Sequence, residues 1–489
     1  MKRQPHKLQR TLLGVALLGA GVTGMGVVHA AGFNLLEQNA SGLGVAYAGS
    51  GAIADNASTI YFNPAGMTNL PGLNVSLGGN YIIPSFKFSN DNTSLPSAFG
   101  TSNAQFSGAT LGDEGKNAGG GSFVPNAYVS WQVSDRLFAG LGVGAPFGLA
   151  TDYGDGFMGR YHSKKFDIKT INFNPSLAYR LNDSWSIGAG INIQRINAEY
   201  EKSTVVDLRS QVAGAVTQKY IAAGVPAEQA ATMGKAVGDQ YGPILEGDAK
   251  VKMNDTAVGW NIGVMFHPSE DTRVGLSYRS RIKYKAKGDT DVDIHRPSAA
   301  MIGAMPAQLQ EIYGLVPASL TSSSTASVTL PDTALLSLYQ RVSPRWELLG
   351  DIQWTGWSSL PELTIKSETL PSASLDLRFK DSWRIAVGAM YQVAPQWKLK
   401  AGVAWDQSPV RKAEHRPASL PDNDRYWLSV GAQYKPSENT AIDVGYSYMF
   451  LRKSHIDNTN DNNQAQYGRL SGSYKASGHI FGLQVSHRF

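Results

Sequence analysis

Ala441-Ile442-Asp443-Val444-Gly445-Tyr446-Ser447-Tyr448-Met449-Phe450 alternates along its whole length. Ile442, Val444, Tyr446, Tyr448 and Phe450 share one face, and Asp443, Gly445 and Ser447 share the other, which is the period of an extended strand. An aromatic and aliphatic face backed by small polar residues suits a strand with lipid on one side and water on the other. The end of the chain repeats the pattern, with Phe481, Leu483, Val485 and Phe489 opposite Gly482, Gln484, Ser486 and Arg488. Residues 346–354 do the same with Trp346 and Trp354 at the two ends, the positions at which indole rings settle in a membrane interface.

Worked outward from these stretches, the alternation predicts strands near 73–88, 122–134, 136–150, 167–181, 184–202, 250–267 and 272–289, and again near 326–342, 345–357, 375–393, 396–407, 424–435, 439–452 and 475–489. Turn-forming residues separate alternate pairs: Ser134-Asp135, Asn182-Asp183, Pro268-Ser269-Glu270, Ser343-Pro344, Ala394-Pro395 and Pro436-Ser437-Glu438. The expected fold is therefore all-β, an antiparallel transmembrane barrel of about fourteen strands over residues 72–489, with an even strand number and short turns facing longer loops. A soluble β-sandwich does not account for strands this long carrying outward Trp and Tyr. Two loops depart from plain turns and are expected to be partly helical, near 203–249 and 291–324. The first is Ala-rich, punctuated by Pro226 and Gly242; the second carries Ala299-Ala300-Met301-Ile302 and Ile312-Tyr313-Gly314-Leu315-Val316. Both fit structured lids, and both fit an extracellular groove that captures an apolar ligand.

Composition agrees with a barrel. The chain holds 52 Gly, 21 Tyr, 17 Phe and 10 Trp, yet only 17% of its residues are charged. Mean hydropathy is −0.22, too low for a bundle of membrane helices. The absence of Cys excludes disulfides, thiolate metal sites and Cys nucleophiles. Lys2, Arg3, Lys7 and Arg10 followed by the apolar Leu12–Val28 read as a signal peptide over 1–30, cleaved after Val28-His29-Ala30. Its removal brings the 44 basic residues close to balance with the 39 acidic ones, so no nucleic-acid partner is expected. Beyond Val28 no run of 18 apolar residues occurs, which leaves a closed barrel as the membrane-spanning form.

Residues 31–71 break the alternation. They are rich in small residues, with Glu37 and Asp55 as their only charges, and contain Ile60-Tyr61-Phe62-Asn63-Pro64-Ala65-Gly66-Met67. Disorder favours more charge and fewer apolar side chains. A hatch packed inside the barrel fits better. The stretch SGLGVAYAGSGAIADNASTIYFNPAGMT (41–68) resembles the N-terminal hatch of the outer-membrane long-chain fatty acid transporter family (FadL-type), which includes importers of hydrocarbons and aromatic compounds. Further matches are PFGLATDY (146–153), GRYHSKK (159–165), NPSLAYRLNDSWSIGAG (174–190), DTRVGLSYRS (271–280), KDSWRIAVGA (380–389) and LPDNDRYWLSVG (420–431). The resemblance covers nearly all of the mature chain. It implies a fourteen-stranded barrel with an N-terminal hatch in the outer membrane of a Gram-negative bacterium.

Within that frame the third expected strand contains Pro146-Phe147-Gly148. Proline cannot donate to a ladder, so pairing must break there. A bulge near the rim meets the requirement, and so does an inward kink that opens the wall; the resemblance implies the kink, with lateral release of ligand. Taking Val274, Leu276, Tyr278, Ile282 and Tyr284 as lipid-facing turns Arg279, Arg281, Lys283 and Lys285 inward, and the same parity turns Arg384 and Arg425 inward. These cations either neutralise Asp351, Asp381 and Asp406 or hold a carboxylate head group. Lys202, twelve residues after Gly190, falls where the resemblance implies a basic ligand-pocket residue. Phe33 and Asn63-Pro64-Ala65 are the candidate gating residues of the hatch.

The function expected is uptake of hydrophobic molecules: capture at the loops, binding in a hatch-gated pocket and sideways release. Long-chain fatty acids lead the substrates, with aromatic or alkane hydrocarbons as the alternative. A general diffusion porin and an outer-membrane lipase are the readings from other classes. The lipase lacks a G-x-S-x-G or H-E-x-x-H motif. No cofactor or metal is called for. The expected partners are the ligand, membrane lipid and lipopolysaccharide, around a monomer.

Overall fold

The computed structural model describes residues 32–459 and 464–489; the expected signal peptide and Ala31 lie outside them. Among the described residues, fourteen antiparallel strands close into a barrel. In order they are Leu73–Asn90, Ser122–Gln132, Leu137–Gly144 continued by Gly148–Asp152, Lys165–Arg180, Trp185–Asp207, Ile244–Ser269 and Thr272–Arg279 continued by Ile282–Ile294. Then come Ser319–Leu330 continued by Thr333–Arg341, Trp346–Thr355, Ser382–Ala394, Trp397–Asp406, Arg425–Ser437, Thr440–Leu451 and Arg469–Arg488. Closure runs from Asn74↔Arg488 to Asn90↔Gly472, so the first and last strands leave no free edge over this length.

The alternation becomes an apolar outside and a polar inside. On the fifth strand Trp185, Ile187, Ile191 and Ile193 are exposed, while Ser186, Asn192 and Gln194 are buried in the lumen. At the short-turn end the outward rings pair across strands: Trp185 stacks on Phe266 with centroids 4.3 Å apart, and Trp346–Tyr391 and Trp397–Tyr434 each lie at 4.7 Å. Toward the other rim Tyr426 stacks on Phe450 at 5.3 Å and Trp260 lies 5.4 Å from Tyr278. Two such girdles, with aliphatic side chains between them, bound the hydrocarbon layer.

The long-loop rim carries the helices Arg209–Ala222 and Ala227–Tyr241 and the shorter Ala299–Gly303 and Ala307–Gly314. It also carries a β-hairpin, Glu362–Ser367 with Ala373–Asp376, whose last two residues overlap the spanning strand expected from 375. That hairpin adds to the eighth strand through Ser324↔Ser367, and the tenth strand begins only at Ser382. The hairpin alternates as a spanning strand does, which is why the two merge in the sequence.

Residues 32–71 fill the lumen. Leu35, Leu43, Val45, Tyr47 and Ala52 are buried against inward wall residues Met265, Leu349, Met390, Trp427 and Met449. The wall supplies glycines where the two backbones meet: a methyl group on Gly275 would collide with the Gly51 carbonyl, and one on Gly402 with the Val45 backbone. Ala46, Tyr47 and Ala54 hold φ of 50°, 57° and 44°. Left-handed conformation costs a non-glycine residue about 1–2 kcal/mol. The enclosing wall sustains that strain.

Candidate functional site

A greasy cavity lies above the hatch. Phe33 closes its floor, and Leu149, Ile168, Ile196, Val251, Met253, Tyr284 and Ala286 line its wall. Leu360, Leu363, Leu375 and Phe379, from the loop that bears the rim hairpin, form the opposite side with Pro417 and Leu420. The floor is an aromatic cluster: Phe33 meets Trp357 edge-on at 4.8 Å and Phe147 at 6.1 Å. Trp357 is fully buried and was not legible as a site residue, because in the sequence it closes an ordinary strand.

A second, polar recess adjoins this cavity through Tyr200, Leu375 and Pro417, which line both. Lys202, His162, Asp376, Glu414, His415 and Tyr467 surround it. The Lys202 ammonium stands 4.1 Å over the Tyr467 ring. Among the described residues no carboxylate approaches it within ion-pair distance. Burial, with Lys202 adding to it, holds His162 down to about 4, so its ring is neutral at physiological pH. Below the recess Arg160 and Tyr161 of the GRYHSKK stretch clasp Glu246, Arg160 Nε at 2.7 Å and the Tyr161 hydroxyl at 2.8 Å.

The third strand opens at Pro146. It pairs with the second strand only from Ala127↔Val143 to Gln132↔Phe138, and above that the two walls separate until the Asp152 amide meets the Ala118 carbonyl at 3.0 Å. The break at 145–147 also shifts register against the fourth strand, from Gly144↔Asn172 to Gly148↔Lys169. The hatch takes over the freed backbone groups. Leu35 N donates to Pro146 O at 2.7 Å, Gly148 N to Phe33 O at 2.9 Å, and the Gln38 side chain to Ala145 O at 2.8 Å. On the second strand the side-chain polar atoms of Ser122 and Asn126 are buried, with no hydrogen-bond partner among the described residues.

The cations predicted for the lumen divide into three groups. Arg279, Arg384 and Arg425 do face inward, but each holds the hatch. Arg279 donates to Tyr61 O at 2.8 Å with its guanidinium 4.2 Å over the Tyr61 ring. Arg384 donates to Ala46 O, and Arg425 binds Asp422 (Nε, 2.9 Å), whose other oxygen accepts from Gly32 N at 3.1 Å. Lys202 alone of the five candidates opens onto the recess.

Arg281, with Lys283 and Lys285, is on the outside, which corrects the expectation. The seventh strand pairs Arg279↔Asn261 below the break and Lys287↔Asn254 above it, one residue more than the sixth strand spends over the same interval. A single extra residue inverts every later side chain. Ile282, Tyr284 and Ala286 thus become inward residues, and two of them line the cavity.

Asn63-Pro64-Ala65 does not meet Phe33 or the cavity. Asn63 is fully buried, donating to Gly51 O at 2.9 Å and Val264 O at 3.0 Å while accepting from Ala65 N at 3.1 Å. Its geometry caps the turn Pro64–Asn69 and ties the hatch to the sixth strand.

The "Long-chain fatty acid transport protein" of Escherichia coli K12 is 33% identical over 449 residues, covering 90% of this chain and 93% of that one. "Outer membrane protein P1" of Haemophilus influenzae is 31% identical over 492 residues, 99% of this chain and 100% of the relative. The crystal structure of a Pseudomonas aeruginosa FadL homologue superposes with a TM-score of 0.76 at 26% identity, over 94% of this chain and all of that one. The Ralstonia pickettii toluene transporter TbuX shares the fold, with a TM-score of 0.61 at 15% identity over 93% of this chain and 99% of the other. The profile of the outer membrane protein transport protein family (OMPP1/FadL/TodX) matches residues 21–489, and the chain belongs to that family, as a β-barrel of the Gram-negative outer membrane.

Proposed function

We propose that the protein imports long-chain fatty acids, seating the tail in the apolar cavity and the carboxylate at Lys202, and releasing the molecule sideways through the opening at Pro146. The observation that carries this reading is the junction of a greasy cavity with a recess whose ammonium has no carboxylate within ion-pair distance among the described residues. An amphipathic acid satisfies both at once; toluene or an alkane leaves the ammonium unused. Names of relatives point the same way, toward long-chain fatty acids in Escherichia coli.

Energetics favour a lateral exit. Each buried CH₂ is worth roughly 0.8 kcal/mol, so a tail of fourteen methylenes would give up on the order of 11 kcal/mol on entering the periplasm. Sliding between the second and third strands into lipid avoids most of that. For the route to open, Phe33 must leave the cavity floor and residues 34–38 must release the kink, while the Asn63 end of the hatch stays anchored. Capture by the helical rim loops precedes these steps. In this reading the protein works as a monomer, without a cofactor or catalytic residue. A water-filled diffusion pore is poorly supported, because residues 32–71 occupy the lumen.

Native mass spectrometry of the purified barrel tests the substrate. The reading expects a co-purified long-chain acid, displaced by oleate and retained in excess toluene. Displacement by toluene at equal concentration would overturn it in favour of hydrocarbons.

A further inference from the structure

The register shift that builds the cavity wall also exports a row of charge. Beyond it the outward positions of the seventh strand read Arg281, Lys283, Lys285 and Lys287, and then Asp289, Asp291 and Asp293, all exposed. Charge on a solvated wall usually alternates in sign and pairs locally. Here four cations occupy the stretch nearest the membrane and three anions the stretch beyond it.

The lower end of the row is fixed by the girdle. Leu276 and Val258 face lipid, 55% and 64% exposed, and Tyr278 packs beside Trp260. Arg281 follows Tyr278 by three residues, roughly 10 Å along the strand at about 3.3 Å per residue. The cations then climb in steps of about 6.6 Å. The residues paired with Lys283, Lys285 and Lys287 on the eighth strand are Thr329, Ser327 and Thr325, which are neutral hydroxyl donors. Arg281 keeps Asp332 at 3.3 Å, but among the described residues no carboxylate stands within ion-pair distance of the three lysines. A like-charged row without partners repels itself unless an anion sits on it.

We infer that this ladder binds the phosphate groups of lipopolysaccharide in the outer leaflet. The row begins where the hydrocarbon ends, at the depth of lipid phosphates. Lysine and arginine suit phosphate oxygens, with flanking Ser and Thr hydroxyls as further donors. The surface faces away from the cavity and is independent of the fatty acid reading. Its place beside the wall of that cavity braces the seventh strand, where the ladder is interrupted at Ser280 and Arg281.

The test is native mass spectrometry of the intact barrel with lipid A bearing two phosphates, its dephosphorylated form, and phosphatidylglycerol. Wild type should retain bisphosphorylated lipid A preferentially. The variant R281Q/K283Q/K285Q/K287Q should bind it several hundredfold more weakly, since each of the four cations near an anionic surface contributes about a fivefold factor. The variant K283R/K285R/K287R keeps the charge and should bind as wild type does, which separates a lost site from a disturbed barrel. Undiminished binding in the glutamine variant, loss in the arginine variant, or equal retention of dephosphorylated lipid A or phosphatidylglycerol would each overturn the inference.

Discussion

The Asn34 side chain donates to the carbonyl of Pro146 at 3.2 Å, and the main chain of Asn34 forms a β-bridge with Phe147. The first described residues of the hatch thereby act as the missing strand partner of the kink. The proposed gate and the proposed exit are one hydrogen-bonded unit, so neither is expected to move alone.

Removing either half of that unit should stop transport without unfolding the wall. Deletion of residues 32–36, or Pro146→Val with Gly148→Val to restore a continuous third strand, is expected to abolish labelled-oleate uptake. Both variants should still migrate as heat-modifiable barrels. Normal uptake in both would sink the hatch-and-kink mechanism.

Lys202→Ala should weaken binding of a long-chain acid about 10-fold to 100-fold, the range of a hydrogen bond to a charged group at about 1.5–3 kcal/mol. Binding of the corresponding neutral alcohol should change little. Isothermal titration with both ligands measures the difference, and equal losses would remove Lys202 from the head-group role.

Arg425 and Asp422 anchor Gly32, and both side chains are buried. Breaking such a pair from one side costs about 3–5 kcal/mol, because a buried charge is left alone. Arg425→Ala is therefore expected to raise hydrogen exchange at residues 32–36 far more than at the barrel strands.

Glu37 is fully buried in the hatch, and among the described residues no other residue donates a hydrogen bond to its carboxylate oxygens. Burial pushes its carboxyl up to about 8, against the pull of a backbone hydrogen bond and of Arg425 and Arg384, with Asp406 pushing the same way as burial. Tyr47 and Tyr61 also sense it from the hatch. Because the packed state holds the proton more tightly than the free carboxyl near 4.5, its contribution is complete below about 4.5 and is lost as pH rises through about 8. Exchange protection of the hatch, corrected for intrinsic rates, should fall between pH 6 and 9 in wild type. Glu37→Gln should flatten the curve, and a variant with the wild-type slope would exclude Glu37 as the titrating group.

Most spanning strands were readable because one face meets lipid and the other water, and that contrast writes a period of two into the chain. The match is close where the strand is regular, as at Thr440–Leu451. It failed along the seventh strand, where Arg281, Lys283 and Lys285 were assigned to the wrong face. Alternation gives parity only until a residue is inserted, and nothing local at Ser280-Arg281 declares that one has been. It placed the start of the tenth strand at 375, within the last strand of a rim hairpin, whereas the spanning strand begins at Ser382. The break in pairing was legible through Pro146, since a missing donor is a property of the residue itself, whereas a kink rather than a bulge was implied only by the resemblance.

What the sequence alone determined is the barrel, its lumen-filling segment and the break at Pro146, all consequences of local periodicity, composition and backbone chemistry. Only the tertiary structure decided which lumenal cations are free. Arg279, Arg384 and Arg425 sit at the inward parity expected of them, yet each already has a partner in the hatch, while among the described residues no carboxylate stands within ion-pair distance of Lys202. Partnership depends on which side chains, hundreds of residues apart, the closed barrel brings within hydrogen-bond reach, and no period along the chain records it.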